Sequence, residues 1–226
     1  MSQSFSLTDT YSLDDLHVYL SRASRVEDGA VRLIASGDVL AVYTAILYPR
    51  GLLDSSPTVL GLRTLRLSVP VDLDQVVPVR SLLERLVRLQ ADAEKSADSP
   101  VSVALPPHVG TASWAGISPP RGGWLPMAET DAALLEIAAR AGIDEVALAI
   151  PTGTGEQLVQ KVRSEVWSRP VEGADRVPSG AAFAAYSLGF LSDDEPVRLF
   201  ESGPWTRLTT SRGHVLVRRT GAGLRP

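Results

Sequence analysis

The chain has 226 residues, 44% of them hydrophobic, with 22 basic and 26 acidic side chains and no cysteine. That apolar content lies above the range of disordered chains and is enough to bury about 70% of the unfolded surface, while a net charge of −4 argues against wholesale coating of nucleic acid, so any basic surface has to be local. Without cysteine there is no disulfide, thiolate metal site, iron–sulfur cluster or cysteine nucleophile, and the expected compartment is reducing.

Met1 to Thr10 is polar and lacks the basic stretch and apolar segment of a secretory signal. No run reaches the roughly eighteen apolar residues of a spanning helix. The expectation is a cytoplasmic protein with no membrane contact. Ser12-Leu-Asp-Asp15 reads as a helix start: a serine oxygen can accept from first-turn amides, and two aspartates suit the positive helix end. Leu13, Leu16, Val18, Tyr19 and Leu20 continue a helical apolar stripe to about Arg25. Beyond Gly29 the pattern turns to strands: Val31–Ile34, Val39–Tyr43 with Ile46-Leu47, and Val59 through Val69. They are separated by Ser36-Gly-Asp38, Pro49-Arg-Gly51 and Ser55-Ser-Pro57. In the third, Leu60, Leu62, Thr64 and Arg66 alternate with Gly61, Arg63, Leu65 and Leu67, as in a half-buried antiparallel strand. Ser81–Gln90 is helical, with Leu82, Leu86 and Leu89 on one side and Glu84 four residues before Arg88 on the other. A short strand, Val101–Leu105, stops at Pro106-Pro107.

His108 to Trp124 holds four glycines, two consecutive prolines and two tryptophans, which suit neither helix nor central strand. Residues 111–125 are therefore expected to connect an N-terminal α+β domain, 1–110, to a C-terminal domain, 126–226. Downstream, Thr130–Ala141 reads as a helix and Ile143–Ile150 as ambiguous. Thr154-Gly-Glu-Gln157 resembles a capping box opening a helix through Trp167, and Ser179 can cap an Ala-rich helix over Gly180–Leu191. The segment Val197–Arg219 reads as a β-meander turning at Gly203-Pro204 and Arg212-Gly213. No internal repeat is evident. The predicted fold class is α+β in two domains, an N-terminal antiparallel sheet with helices on one face and C-terminal helices followed by a small β-meander.

Catalytic patterns are sparse. Only His17, His108 and His214 could act as imidazole bases, there is no Gly-x-Ser-x-Gly elbow, and the histidines lack zinc-ligand spacing. Pro151-Thr-Gly-Thr-Gly155 precedes a helix, but Glu156 follows where a phosphate loop needs Lys. Asp193-Asp-Glu195 reads as a solvated turn and Asp14-Asp15 as a helix-start feature. Ile137-Ala-Ala-Arg-Ala-Gly-Ile143 is similar to the turn of helix-turn-helix repressors. Asp144 and Glu145 then stand where a reading helix presents basic or amide side chains, and no Lys or Arg occurs from Ile143 to Gln160. The alternative is a helix closed by Gly142 as its C-cap. No metal or cofactor is expected.

Charge concentrates at the end of the chain. From Arg198 onward there are six arginines, Arg198, Arg207, Arg212, Arg218, Arg219 and Arg225, against one acid, Glu201. Pro119-Pro-Arg-Gly-Gly-Trp124 and Gly203-Pro-Trp-Thr-Arg207 each set a tryptophan beside glycine, proline and arginine, and an indole with a guanidinium in reach can stack on a partner. In alternation Trp205, Arg207 and Thr209 share one face and His214, Leu216 and Arg218 another.

The downstream half resembles an uncharacterised protein family of actinobacteria. The likeness rests on Pro-Pro-Arg-Gly-Gly-Trp124, Val166-Trp167-x-Arg-Pro170, Ser179-Gly-Ala-Ala-Phe-Ala-Ala185 with Gly189-Phe-Leu191, Trp205-Thr-Arg-Leu208 and Gly213-His-Val-Leu-Val-Arg218. The resemblance implies a cytoplasmic, lineage-restricted protein and brings no activity, substrate or cofactor.

The functional expectation is a non-enzymatic module that binds a protein partner or itself through the C-terminal sheet and the Trp124 loop, using Arg121, Trp124, Trp205, Arg207, Arg212, His214 and Arg218. On this reading alanine at Trp205 and Arg207 weakens association without unfolding the protein. A winged-helix-like DNA binder with a basic wing is the alternative, and an enzyme with a pocket near His108 to Arg121 is a third reading.

Overall fold

The computed structural model describes residues 3–51, 54, 56–92, 99–110, 112–150 and 153–218. Its elements divide between two units, Met1–Ala45 with Leu62–Ser118, and Ile46–Gly61 with Pro119–Pro226. The chain is therefore not cut at one connecting loop, because the excursion Ile46–Gly61 groups with the second unit.

In the first unit β1 (Ser4–Leu7) pairs antiparallel with β6 (Val101–Ala104) and buries Phe5 and Leu7. The helix α1 (Thr10–Val26) starts earlier than Ser12, because the cap is Asp9, whose Oδ1 accepts the Ser12 N–H at 2.7 Å. Alternation decides the sheet. β2 (Ala30–Ser36) turns Val31, Leu33 and Ala35 inward and pairs antiparallel with both β3 (Val39–Leu47) and β5 (Leu73–Pro78). The strand β4 (Thr58–Arg66) begins in the second unit's excursion and ends in the first unit. Helix α2 (Val79–Asp92) packs on α1, β5 and β6 through fully buried Leu82 and Leu86. The expected strands and the Leu-rich helix are present, whereas β1 and β5 have no counterpart in the sequence reading. In β5 the strand-unfavourable Asp74 is retained by an ion pair: Arg32 Nε and Nη2 donate to its two oxygens at 2.8 and 2.6 Å. Arg32 Nη1 also donates to Ala115 O and Ser118 Oγ, at 2.5 and 2.9 Å, tying down the 3-10 turn Ser113–Gly116 that buries Trp114.

The second unit contains β7 (Leu125–Pro126), α3 (Ala132–Ala149), α4 (Glu156–Ser168), the hairpin of β8 (Pro170–Val171) and β9 (Ala174–Pro178), α5 (Ser179–Ser187), and the strands β10 (Arg198–Ser202), β11 (Trp205–Thr210) and β12 (Gly213–Arg218). Its sheet runs β12-β11-β10-β7, all antiparallel. Helix α5 lies against β12, β8 and β9, and α3 packs on α4 and α5. The predicted α+β class, with helices ahead of a terminal β-meander, is the observed one.

Several local expectations are corrected. Helix α3 runs unbroken through Gly142, so Ile137–Ile143 is neither a helix-turn-helix turn nor a C-cap. The cap of α4 is Gly155 with no side-chain hydrogen bond, so Thr154 opens no capping box; Pro151 and Thr152 lie outside the described residues. Helix α5 ends at Ser187, and Ser179 Oγ donates to Arg169 O at 2.6 Å instead of capping. Among the described residues no helix is long and apolar enough to cross a membrane, and no group of three or more His, Asp or Glu could hold a metal ion.

One buried polar group in the first unit sets a pH dependence. Tyr19 is 3% exposed, and its hydroxyl lies 2.8 Å from Thr44 Oγ1 and 3.3 Å from Val42 O. Burial pushes the phenol's pKa well above its ordinary value. Above about pH 10 the unfolded chain releases this proton and the folded chain keeps it, so stability falls as pH rises, by up to about 1.4 kcal/mol per pH unit. Urea midpoints measured from pH 9 to 11 are expected to decline, and the decline is expected to flatten in Tyr19→Phe.

Candidate functional site

Register rather than alternation alone determines what shares a face with what. Gly203 at φ +55° lets β10 turn into β11 through the two residues Gly203-Pro204, so Ser202 faces Trp205, Phe200 faces Arg207 and Arg198 faces Thr209. On the other side Trp205 faces Arg218, Arg207 faces Leu216 and Thr209 faces His214. Directly opposed residues of an antiparallel pair project to the same side. Trp205, Arg207, Thr209, His214, Leu216 and Arg218 therefore occupy one face, not two, together with Arg198 and Phe200. The reverse face, with Leu199, Leu208, Val215 and Val217, is buried.

The centre of the first face is Arg207. Its guanidinium lies between two rings, 4.6 Å from the centroid of Trp124 and 4.6 Å from that of Phe200. Trp124 reaches it because β7 pairs with β10, setting Pro126 opposite Phe200, and its ring is fixed by Nε1 donating to Pro120 O at 3.0 Å. Arg207 Nε is buried and has no hydrogen-bond partner, and no ion pair reaches the guanidinium among the described residues. Burial, followed by the nearby Arg198 guanidinium, holds its pKa below the usual arginine range. Arg198 and Arg218 are exposed and likewise have no acid partner among the described residues. The sandwich holds a planar cation still, leaving a row of three cations that can receive oxyanions.

The predicted residues thus separate. Trp124, Arg207 and Arg218 share this face, whereas alternation alone sets Arg207 and Arg218 on different faces. Trp205 shares it but is only 5% exposed, a core side chain rather than a wet indole. His214 Nδ1 lies 3.1 Å from Thr209 Oγ1 and is half-buried. Arg212 sits in the β11–β12 turn, where Nη1 donates to Leu191 O at 3.2 Å, and Arg121 is exposed in the loop before β7. Arg219 and Arg225 lie outside the described residues. The sequence reading misses Phe200. Its signal is the alternation Arg198, Phe200, Ser202 ahead of a two-residue Gly-Pro turn, which places it opposite Arg207 once that turn is assigned.

Residues 1–109 match the family model described as a domain of unknown function, DUF8010, and residues 119–222 match that of a second domain of unknown function, DUF8185. Neither description names an activity, substrate or cofactor. No curated protein matches the chain. Among solved structures the fold is similar to the DNA polymerase III subunit beta from Borrelia burgdorferi, at 8% identity and a TM-score of 0.53, covering 97% of this chain and 65% of that one. It is also similar to the pol III beta of Caulobacter crescentus, at 14% identity and a TM-score of 0.51, covering 97% and 66%. A second Caulobacter crescentus structure, at 14% identity, a TM-score of 0.49 and coverage of 99% and 67%, is described as a DNA polymerase sliding clamp. The chain thus spans a little under two thirds of the first two subunits, whose fold it shares.

This fold overturns the expected function. A free-standing interaction module acting through the C-terminal sheet is replaced by a chain that takes the polymerase beta-subunit fold over nearly its whole length. The winged-helix alternative fails with it, since α3 is one continuous helix where a reading helix after a turn is required.

Proposed function

We propose that the protein is a clamp-type DNA-associated subunit, cytoplasmic, that assembles with further clamp-fold domains from a second copy or a partner. The observation that supports this is the beta-subunit fold over 97% of the chain. The chain spans 65–66% of those subunits' length, so association with further clamp-fold domains is part of the proposal.

Electrostatics limits how such a protein meets DNA. The five helices among the described residues carry eight basic against nine acidic residues in sequence, a balance that gives little counterion release. Contact with phosphates is assigned instead to Arg198, Arg207 and Arg218. Three phosphate contacts correspond to a slope of log affinity against log salt of about −2.7. Fluorescence anisotropy with a random duplex, titrated from low to physiological salt, is expected to show weak binding with that slope. Replacing Arg198 and Arg218 by Gln and Arg207 by Met is expected to flatten it. Absence of binding at low salt, or a slope unchanged by the triple substitution, would remove the phosphate assignment. A single-chain mass in sedimentation, with or without DNA, would remove the assembly.

A further inference from the structure

A cavity of about 420 Å³ opens in the first unit, within the roughly 300–1,000 Å³ range of small-molecule sites. Its walls come from separate elements: Gln3 ahead of β1, Gln75 on β5, Arg85 on α2, and the run Leu105-Pro-Pro-His108 after β6. None of these side chains is a carboxylate.

Two of the polar groups lining it, Arg85 and His108, present donors. Arg85 makes one long hydrogen bond, Nη1 to Ala104 O at 3.3 Å, and no ion pair among the described residues. His108 is held by its other nitrogen: Nδ1 accepts the Val76 N–H at 3.3 Å, and the return bond from Val109 N to Val76 O at 2.8 Å fixes the loop on the strand. The ring proton is therefore on Nε2, which is left as a donor. The side-chain amides of Gln3 and Gln75 make no hydrogen bond among the described residues. The Leu105 and proline side chains add an apolar wall.

We infer that this cavity is a binding site for a small organic anion, whose phosphate or carboxylate is taken by Arg85 and His108 and whose body lies along Leu105 and the prolines. A cation with no counterion among the described residues and a fixed imidazole donor line one space, and an oxyanion satisfies both. The site is independent of the clamp reading and of the Arg207 face.

The test is titration calorimetry of the full chain with inorganic phosphate and, separately, with succinate, in sodium chloride of matched ionic strength. At least one anion is expected to bind saturably. Affinity is expected to fall about tenfold or more in Arg85→Gln, since a charge-assisted hydrogen bond contributes about 1.5–3 kcal/mol. It is expected to fall in His108→Ala as well, and to be unchanged in Arg207→Met. A response to phosphate alone assigns a phosphate ester, and a response to succinate alone a carboxylic acid. The site is refuted if neither anion binds up to tens of millimolar, or if Arg85→Gln binds as the unaltered protein does. Arg85 and His108 are not in the core, so both variants are expected to fold, and their melting curves verify it.

Discussion

Replacing Trp205 by alanine is expected to unfold the second unit at markedly lower temperature, not merely to weaken an association. The side chain is 5% exposed on β11, between the hairpin partner Ser202 and Arg218 on β12. Truncating a buried aromatic of this size costs about 3–5 kcal/mol, because the transfer free energy is lost and the cavity closes only in part. For a chain of this length that is a fall in melting temperature of at least about 6 °C. Trp124→Ala is the control: its half-buried indole loses one hydrogen bond and the stack on Arg207, so its melting temperature is expected to fall less. A Trp205→Ala protein melting within 2 °C of the original would show that the indole is not part of the core. The sequence-based expectation of an intact fold after this substitution rests on Trp205 being wet, and its burial reverses it.

Where the pattern is long, sequence and structure agree. Val31 to Ile34 and Val39 to Tyr43 alternate over enough residues to define their inward faces, and the leucines of α2 recur at helical spacing. The elements that escape are short or polar. The strand β5 presents Asp74 and Gln75, and is held as a strand by pairing with β2 and by Arg32, which is distant in sequence. β8 is two residues long and contains Pro170, so no periodicity can announce it. The site divides in the same way. An arginine-rich end is visible in the sequence, but a core tryptophan and a docking tryptophan have the same neighbours, so Trp205 and Trp124 cannot be told apart locally. The Arg207 sandwich needs the β7–β10 pairing, which joins residues before α3 to residues after α5. The cavity beside His108 likewise depends on four elements meeting, and its residues carry no motif.

Helices of nearly balanced charge and a row of arginines with no acid partner among the described residues also change what the fold can be asked to do. If phosphate contact were spread over the helices, charge reversal at Asp144 and Glu145 would add cations to the contact surface and strengthen binding with a steeper salt dependence. On the Arg198, Arg207 and Arg218 assignment, neutralising the three arginines removes most of the salt-dependent term while the helices are untouched.

Gly142→Ala is the second substitution expected to have a large effect, and its sign runs against helix propensity. In an exposed helix interior alanine is favoured over glycine by about 1 kcal/mol. Here a Cβ would stand 2.3 Å from Trp167 Cζ3 and 2.7 Å from Cη2, far inside the roughly 3.5–4.0 Å of ordinary carbon contact. The indole cannot retreat, because it is 3% exposed and its other face stacks on Phe183, ring centroids 4.4 Å apart and planes 18° from parallel. Three helices, α3, α4 and α5, meet at that point, so relief requires one of them to shift. Overpacking of this kind costs about 1–3 kcal/mol, occasionally more, and the closeness of the contact puts the net loss at about 2 kcal/mol or above. The cause is separable by a double-mutant cycle with Trp167→Leu, which removes the ring atoms the new methyl would strike. The paired variant is expected to be more stable than the sum of the two single losses allows. Additive losses would mean that Gly142 matters through backbone conformation and not through the close approach of α3 to the Trp167 ring.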